Sequence, residues 1–293
     1  MVAAALPHLS QARAPLTCAI VAFDETGRRC PVSIPAERAL TVYVDKRELV
    51  TLMTLGAHPE LLVLGYLRNQ RLVQRAQDIA SITVDWEVGA AAVKTHAGID
   101  DIEARTARRV VTTGCGQGSV FGDLMDALDS IALPDTRITQ AQLYAIVNDI
   151  RLLETTYKSS GSVHGCALFE GDRRLVFVED VGRHNALDTI AGWMWMQQPG
   201  GVDGTGKVFY TTGRLTSEMV IKAAQMGVSV VVSRSGITQM GLQVAQRLGV
   251  CAIGRATNKR FLCYATPQRL IWEPFSLQTT RMAGAAVCAD QLA

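Results

Sequence analysis

The sequence lacks the features that mark membrane, secreted and nucleic-acid-binding proteins. No uninterrupted apolar run approaches the roughly 20 residues that a membrane-spanning helix needs. Residues 1–14 have no basic segment at their start, and Pro7 and His8 interrupt their short apolar run, unlike a secretion signal. The net charge is only +2, so there is no general attraction to polyanions or membrane surfaces. We therefore expect a cytoplasmic protein that binds neither nucleic acid nor membranes.

Closely spaced cysteines are also missing. The chain has seven cysteines at wide spacings and no C-x-x-C motif. A disulfide framework is not expected in a cytoplasmic chain of this size, and a structural zinc site needs paired ligands that are absent here. We therefore predict no metal site. Most of the cysteines are expected to pack in the core, and Cys251 in "GVCAIG" is the clearest example.

The first part of the chain is predicted to be rich in strands. The composition is that of a globular protein, with 48% hydrophobic and 19% charged residues. Alternation in "LTVYVDKREL" predicts a half-buried strand over 40–49, and 58–73 is predicted to form a helix and a turn. One or two strands are predicted over 80–96. We expect a smaller, strand-rich N-terminal domain over residues 1–135, which includes a glycine-rich loop around Cys115.

Helices and strands alternate in the rest of the chain. Apolar spacing predicts a helix within 119–135, and another over 139–161, where Thr139 and Gln142 match a capping box. The segments that follow are 165–171, 174–180, 184–197, 207–213, 216–227, 228–235, 238–249 and 250–256; the third, fifth and seventh are predicted helices and the others strands. Their order implies a partly parallel sheet covered by helices. We therefore predict an α/β fold with a second domain over residues 136–293.

Three loops of this second domain carry residues suited to anions. They are "EDVGRHNALD" (179–188), "TTGRLTSE" (211–218) and "SRSGIT" (233–238). In open α/β sheets ligands bind at the carboxyl ends of strands, where helix N-termini favour anions. Arg183, Arg214 and Arg234 would add guanidinium groups suited to phosphate. Together these loops point to a phosphate-bearing ligand.

These residues also have simpler interpretations. Arg183 could pair with Asp180, and His184 could cap a helix or satisfy a buried carbonyl. Ser217 is a plausible helix cap. The chain contains neither a P-loop nor a Rossmann glycine motif after a strand. The nucleotide interpretation therefore depends on the three loops together.

Cys115 stands among glycines in "VTTGCGQGSVFGD". A thiol becomes nucleophilic where nearby cations or a helix N-terminus lower its pKa, and Arg108 and Arg109 precede this loop. A flexible loop would let a thiolate reach a sulfur donor and then an acceptor. The alternative is a turn that happens to contain a cysteine. Since exposed cysteines are prone to oxidation, we favour a functional thiol.

Four ordered segments resemble the formate dehydrogenase accessory sulfurtransferase family, FdhD. They are "SGSVHGCALFE", "EDVGRHNALD", "YTTGRLTSEMVIKAAQMGVSVVVSRSGIT" and "IGRATNKRFLCYA". The resemblance extends over about residues 35–275. It implies a cytidine-deaminase-like α/β/α domain, a homodimer, and a sulfur carrier. Such a carrier takes persulfide sulfur from a cysteine desulfurase and passes it to the bis-molybdopterin guanine dinucleotide of a molybdenum- or tungsten-dependent formate dehydrogenase.

The resemblance also implies roles for individual residues. Cys115 would be the catalytic, persulfide-bearing thiol. The cofactor, or GDP as its mimic, would be held by Gly213, Arg214, Ser217, Ser235, Ile253, Gly254, Arg255, Ala256, Thr257 and Asn258. Arg183, His184, Asn185 and Asp188 would line or shape the same cleft.

Two departures from the family pattern affect the predicted chemistry. Gly118 stands where the family usually has the second cysteine of a C-x-x-C motif. Cys166 could replace it as a resolving thiol, or could simply be a small buried residue. His164-Gly165-Cys166 lacks the glutamate of a zinc deaminase, so deamination is not expected. The missing cysteine leaves a second function open, a non-catalytic chaperone that holds the molybdenum cofactor for formate dehydrogenase.

Overall fold

The structure is a computed structural model that describes residues 5–99, 102, 110–111, 118–119, 128–153, 155–197 and 200–273. Cys115 and residues 120–127 of the helix predicted within 119–135 lie outside the described residues, and the described part of that segment is helical only in a short 3₁₀ turn at Leu128–Ser130. Within the described part, no helix is long and apolar enough to cross a membrane.

The N-terminal half contains a five-stranded sheet, a separate hairpin and one helix. The sheet has the order β1-β6-β7-β4-β5. The bounds in this half are β1 His8–Leu9, β2 Thr17–Phe23, β3 Arg29–Pro35, β4 Arg38–Val44, β5 Arg47–Thr54, helix α1 Pro59–Asn69, β6 Ile79–Asp85 and β7 Ala90–Thr95. The helix predicted over 58–73 and the two strands within 80–96 are confirmed. β2 and β3 form the separate hairpin.

The single strand predicted over 40–49 is wrong, because the chain turns back at Asp45 and Lys46. Both residues have positive φ, 46° and 74°, as a two-residue type I′ hairpin turn requires. Neither is glycine or asparagine. The Asp45 carboxylate accepts hydrogen bonds from the backbone N–H and the hydroxyl of Thr95, so a contact from β7 stabilises the turn.

The C-terminal half contains a six-stranded mixed sheet, with the order β12-β11-β13-β14-β15-β16. The remaining strands are β8 Val110–Val111, β9 Gly118–Ser119, β10 Ile138–Thr139, β11 His164–Glu170, β12 Arg173–Asp180, β13 Lys207–Thr211, β14 Val230–Ser233, β15 Cys251–Thr257, β16 Arg260–Ala265 and β17 Leu270–Ile271. β13, β14 and β15 are parallel neighbours, which confirms the partly parallel sheet. β16 returns antiparallel to β15 as a further strand.

Helices cover both faces of this sheet. They are α2 Gln140–Leu152, α3 Thr156–Ser160, α4 Arg183–Met196, α5 Ser217–Gln225 and α6 Gln239–Leu248. Buried residues of α4, α5 and α6 pack with Cys166 and Leu168 on one face, and those of α2 pack with Ala167 and Phe169 on the other. Successive side chains of a strand point to opposite faces, so the sheet is the middle of three layers.

The single helix predicted over 139–161 is in fact two helices. Thr139 and Gln142 form the predicted capping box at the start of α2. Thr155 caps the start of a second helix, α3, and its side chain accepts a hydrogen bond from the Lys158 N–H. Gly161, with φ +67°, caps the end of α3. This break places α3 at the edge of the sheet rather than along its face.

The two halves meet through a close contact of α1 with α4. Gly65 and Gly192 stand at the crossing. A Cβ atom on Gly65 would lie 1.6 Å from the Asp188 carbonyl oxygen, and one on Gly192 would lie 2.0 Å from the Leu61 carbonyl oxygen. Glycine is therefore required at both positions, since any side chain would push the helices apart.

Candidate functional site

A cleft of about 760 Å³ lies at the carboxyl ends of the parallel strands. Its lining comes from the ends of β13, β14 and β15, from β11 and β12, and from α2, α3 and the loops beside them. The lining residues are Val147, Ile150, Arg151, Thr155, Tyr157, Lys158, Val163, His164, Gly165, Phe177, Glu179, Tyr210, Thr212, Arg234, Ser235, Ala256, Thr257 and Asn258. The volume suits a nucleotide-sized ligand.

Backbone hydrogen bonds hold the loops that form one wall of this cleft. The Arg234 N–H donates to the Thr211 carbonyl, and the Arg255 N–H donates to the Ser235 carbonyl at 2.7 Å. The Ser233 hydroxyl donates to the Gly213 carbonyl and accepts from the Ser235 N–H. The ends of the three parallel strands are therefore fixed relative to one another.

The opposite wall is positioned by a carboxylate. Glu179, near the end of β12, accepts hydrogen bonds from the backbone N–H groups of Thr156 and Tyr157 at 2.7 and 3.1 Å. These N–H groups belong to the first turn of α3 and have no partner within the helix. The contact fixes Tyr157 and Lys158 at the edge of the cleft.

Basic and aromatic side chains line the cleft together. The basic ones are Arg151, Lys158 and Arg234, and three aromatic rings, Tyr157, Phe177 and Tyr210, are also present. Burial raises the pKa of Tyr210 to about 12, although Arg234 opposes this. Its phenol is therefore protonated at neutral pH and can donate a hydrogen bond. Rings suit a planar base, and the cations suit phosphate.

His164 stands where the cleft approaches the loops after β12 and β13. Its pKa is lowered, first by burial and then by the charges of Arg183 and Arg214, so the imidazole is neutral at pH 7. Its Nδ1 lies 3.5 Å from the Thr212 hydroxyl oxygen, which accepts a hydrogen bond from the Gly165 N–H. Two guanidinium groups and a neutral imidazole therefore surround this corner of the cleft.

Arg183 is a nearly buried cation beside this corner. Arg183 is only 6% exposed, and its Nε has no hydrogen-bond partner among the described residues. The side chain passes over Gly213, where a Cβ atom would lie 2.6 Å from the Arg183 Cδ. Gly213 therefore makes room for this side chain. A buried guanidinium is energetically unfavourable unless an anion compensates its charge.

Of the residues predicted to hold the cofactor, four line the cleft: Ser235, Ala256, Thr257 and Asn258. Ile253 is fully buried in the core. Gly254 lies under Tyr264, whose ring would be 2.7 Å from an added Cβ atom. Arg255 is exposed next to the cleft. The predicted segment 253–258 therefore contacts the cleft only through its last three residues.

The loop after β13 reaches the cleft lining through Thr212, and residues 213–217 do not line the cleft. Arg214 is exposed, and its charge reaches His164. The prediction that Ser217 caps the following helix is wrong. The N-cap residue is Thr216, whose side chain makes no capping bond, and Ser217 is the first residue of α5.

The polar residues of "EDVGRHNALD" mostly join the two halves of the protein. The Asp180 carboxylate accepts hydrogen bonds from the Thr54 hydroxyl and the Leu55 N–H on one side, and from Gly182 and Asn185 on the other. Asn185 also donates to the Met53 carbonyl. Asp180 is thus bound to the end of β5, and no ion pair joins it to Arg183 within the described residues.

Asp188 belongs to a buried charge network. It accepts hydrogen bonds from the Asn69 amide at 2.7 Å and from the Lys222 ammonium at 2.8 Å. Lys222 also lies 3.4 Å from Glu218, which lies 3.5 Å from His184. Burial lowers the pKa of Lys222, but Asp188 and Glu218 outweigh it, so the net pKa is raised. Asp188 and Lys222 have fully buried side chains.

His184 neither caps a helix nor lines the cleft. The N-cap residue of α4 is Gly182. Both ring nitrogens of His184 lack a hydrogen-bond partner within the described part of the chain. Burial, followed by the charges of Lys222 and Arg183, lowers the pKa of His184 to about 2. The ring is therefore neutral.

Cys166 is a buried thiol, which supports its interpretation as a small core residue. It is fully buried, and its Sγ lies 3.3 Å from the Thr211 hydroxyl oxygen. Burial raises its pKa to about 12, so the thiolate is not populated at neutral pH. Cys115, its suggested partner, lies outside the described residues. The core position of Cys251 is confirmed.

Several cleft residues had no role in the sequence prediction. Arg151 belongs to α2, and Tyr157 and Lys158 belong to α3, where no sequence motif marks them. His164 lies in "SGSVHGCALFE", a segment that carries the family resemblance, where the sequence pattern indicates only an incomplete deaminase motif. Arg234 was predicted to suit phosphate, and it lines the cleft.

Comparison with known proteins agrees with the resemblance seen in the sequence. A family model described as the FdhD/NarQ family matches residues 35–271. A sulfur carrier protein FdhD from Bacillus subtilis is 32% identical over 236 residues, which are 80% of this chain and 88% of that protein. The protein of the same name from Staphylococcus haemolyticus is 28% identical over 239 residues, 81% and 89% of the two chains.

A solved structure supports the fold. The crystal structure of a candidate formate dehydrogenase accessory protein from Desulfotalea psychrophila matches with a TM-score of 0.70. The match covers 88% of this chain and all of the other, at 24% identity. Since the family model covers most of the chain and the relatives align over four fifths of it, the chain belongs to the FdhD/NarQ family.

Proposed function

We propose that this protein carries sulfur for the maturation of a formate dehydrogenase. Cys115 takes sulfur as a persulfide from a cysteine desulfurase and passes it to a bis-molybdopterin guanine dinucleotide that contains molybdenum or tungsten. The names of the curated relatives support the sulfur-carrier role. The residues that line the cleft support a guanine dinucleotide as the acceptor of the sulfur.

The observation that carries the proposal is the combination of rings and cations at the carboxyl ends of β13, β14 and β15. Tyr157, Phe177 and Tyr210 offer faces for a guanine base, and Arg151, Lys158 and Arg234 offer charge for a pyrophosphate. A guanine base and a pyrophosphate are the groups that a guanine dinucleotide presents to a protein. The ligand supplies the metal that accepts the sulfur, and the protein supplies orientation and charge.

The nearly buried Arg183 fits the same ligand. Its Nε has no described hydrogen-bond partner, and its charge reaches His164 at the corner of the cleft. An anionic group that entered this corner would compensate the guanidinium charge in a poorly solvated place. We propose that Arg183 and Arg214 attract the anionic part of the ligand toward His164, which remains neutral and can accept or donate one hydrogen bond.

Further features belong to the same proposal. The order of β12, β11, β13, β14 and β15, with the last three parallel, fits a cytidine-deaminase-like domain. We propose a cytoplasmic homodimer whose partners are a cysteine desulfurase and a formate dehydrogenase. A chaperone that holds the cofactor without transferring sulfur is the second candidate, and Gly118 in place of a second loop cysteine favours it.

Two measurements test the proposal. Calorimetric titration with GDP is expected to show binding that weakens at least about tenfold when Arg234 is replaced by alanine, because a charged hydrogen bond to phosphate contributes about 1.5–3 kcal/mol. Arg28→Ala is the matched control, since Arg28 forms an exposed ion pair with Asp24 on the β2–β3 hairpin and neither residue lines the cleft. Equal affinity of both variants would contradict the assignment of the cleft.

The second measurement concerns sulfur. After incubation with a cysteine desulfurase and cysteine, mass spectrometry is expected to find one added sulfur atom on Cys115, and none on the Cys115→Ala variant. Cys166→Ala is the control, and it should leave the adduct unchanged. If GDP binds but no adduct forms on Cys115, sulfur transfer is excluded and the chaperone is favoured.

A further inference from the structure

The separate hairpin of β2 and β3 exposes apolar side chains on both of its faces. Its sheet contains no third strand within the described part of the chain, and an isolated two-stranded hairpin is at best marginally stable in water. Five large apolar side chains of the hairpin are nevertheless exposed by 37% to 69%: Ile20, Val21, Phe23, Val32 and Ile34. Such a hairpin needs a further surface to stabilise it.

The backbone hydrogen bonds of the hairpin show which groups of β2 point away from β3. The Ala36 N–H donates to the Leu16 carbonyl at one end, and the Asp24 N–H donates to the Arg28 carbonyl at the other. In an antiparallel pair, residues bonded in this way alternate with residues whose N–H and C=O groups point outward. The even-numbered residues of β2 therefore bond to β3, and the odd-numbered ones point outward: Thr17, Ala19, Val21 and Phe23. None of these four bonds outward to another described residue.

The outer edges of the two strands differ in the residues that oppose pairing with another strand. β3 has Pro31 and Pro35 among its outward-pointing residues, and proline has no N–H to donate. Prolines and charged side chains are common means by which edge strands avoid other chains. β2, with the sequence TCAIVAF, has neither. The edge of β2 is therefore open to a further strand, whereas the edge of β3 is protected.

We propose that β2 pairs antiparallel with β2 of a second copy of this chain, so that two hairpins form one four-stranded sheet. A two-fold symmetric interface places the same surface on both subunits, so a charged strand would meet its own charge. β2 has no charged residue and avoids this repulsion. The joined sheet also has the three or more strands that independent stability requires.

One symmetric register uses every outward-pointing residue of β2. The two-fold axis then passes beside Ile20, the middle residue of the strand. Thr17 lies opposite Phe23 of the second copy and Ala19 lies opposite Val21, so all four outward residues exchange hydrogen bonds. Ile20 lies opposite Ile20 of the second copy, as a pair without hydrogen bonds. Any other symmetric register leaves outward groups unpaired at the strand ends.

This pairing specifies the interface of the homodimer proposed above and rests on that part of the proposed function. The family match begins at residue 35, the last residue of β3, so nearly all of the hairpin precedes the matched segment. β3 also contacts α3, whose residues Tyr157 and Lys158 line the cleft. The hairpin that carries the interface therefore lies beside one edge of the cleft.

Sedimentation velocity of the full chain tests the pairing. Wild-type protein is expected to sediment as a dimer at micromolar concentration. Ile20→Lys is expected to sediment as a monomer of 31.6 kDa, because two like charges would face each other across the axis. Val32→Lys is the matched control, since Val32 is exposed directly opposite Ile20 on β3. Both β2 strands would separate its two lysines, so this variant should remain a dimer.

Ile20→Cys tests the register and does not depend on the folding of Ile20→Lys. A pair without hydrogen bonds has its Cα atoms about 4.5 Å apart, which is within the range of a disulfide. In a Cys18→Ala background, oxidised glutathione should therefore link Ile20→Cys into a covalent dimer that dithiothreitol separates. Val32→Cys in the same background should give no covalent dimer.

The outcomes separate this proposal from the rest of the function. A wild-type monomer would overturn the pairing and the proposed homodimer, whereas sulfur transfer would still be decided by the adduct on Cys115. A dimer that persists in Ile20→Lys, or an Ile20→Cys dimer that does not cross-link, would overturn the pairing alone. Dissociation of both lysine variants would indicate a contact between hairpin faces and would also overturn the pairing of β2 edges.

Discussion

Replacement of Lys222 by methionine tests the buried charge network that joins the two halves. The Lys222 ammonium is fully buried, 2.8 Å from Asp188 and 3.4 Å from Glu218. Methionine retains much of the apolar stem but removes the charge, which leaves two carboxyl groups in the interior without their cation. Breaking a buried pair in this way costs about 3–5 kcal/mol, a large part of the roughly 5–15 kcal/mol that holds a typical domain together.

The loss should depend on pH in a defined direction. Burial already raises the pKa of Asp188, and Lys222 opposes that rise. Without Lys222 the folded-state pKa of Asp188 rises further above its unfolded value, so folding favours the protonated carboxyl. A raised carboxyl pKa lowers the free energy of unfolding as pH increases through it. The variant is therefore expected to lose more stability at pH 8 than at pH 5.

The assay is urea unfolding of the wild-type protein and Lys222→Met at both pH values. Lys222→Met combined with Asp188→Asn should recover part of the loss, because one of the two unpaired charges is gone while the Asn69 amide keeps an acceptor. Arg28→Met, which removes an exposed ion pair, should have no measurable effect. A loss below about 1 kcal/mol, or one equal at both pH values, would refute this account of the network.

Two other predictions concern the helix crossing and the cleft. Gly65→Ala should destabilise the protein by about 3 kcal/mol or more in the same assay, because the new Cβ atom would lie 1.6 Å from a backbone oxygen. Gly236→Ala is the control, since the space around Gly236 is open. Equal stabilities of the two variants would show that α1 and α4 separate easily. Under the proposed function, His164→Gln should match the wild-type GDP affinity at pH 7–8, because the lowered pKa keeps the wild-type imidazole neutral there. The variant should bind more weakly than the wild type only in acid, where the wild-type imidazole gains a proton. Titrations over this range check it, and a difference at pH 8 that is absent at pH 5.5 would contradict a neutral His164.

Local patterns predicted the elements around the cleft well. β13, α5, β14, α6 and β15 appear in the predicted order, since strands of two-residue period and helices of 3.6-residue period leave different spacings of apolar residues. The capping box at Thr139 was also predictable, because its two partners are three residues apart. The parallel strand order then placed Arg234 and Ser235 at the carboxyl edge.

The errors came where distant contacts decide the structure. The turn at Asp45 and Lys46 has positive φ without glycine, and Thr95 from another strand stabilises it. The predicted helix over 139–161 divides where Glu179, on a different strand, binds the N–H groups of a new first turn. In both places a long-range hydrogen bond outweighed the local propensity.

The sequence by itself therefore determined the order of strands and helices, the family, and the loops that end near the cleft. These depend on neighbours a few positions apart. Tertiary structure alone decided that Asp188 joins the two halves rather than lining the cleft, since its partner Asn69 is 119 positions away. It also decided that Arg151 and Lys158 face the cleft. Polar residues in a loop have the same appearance in sequence whether they bind a ligand or a buried partner, and only the packing of α1 against α4 distinguishes the two.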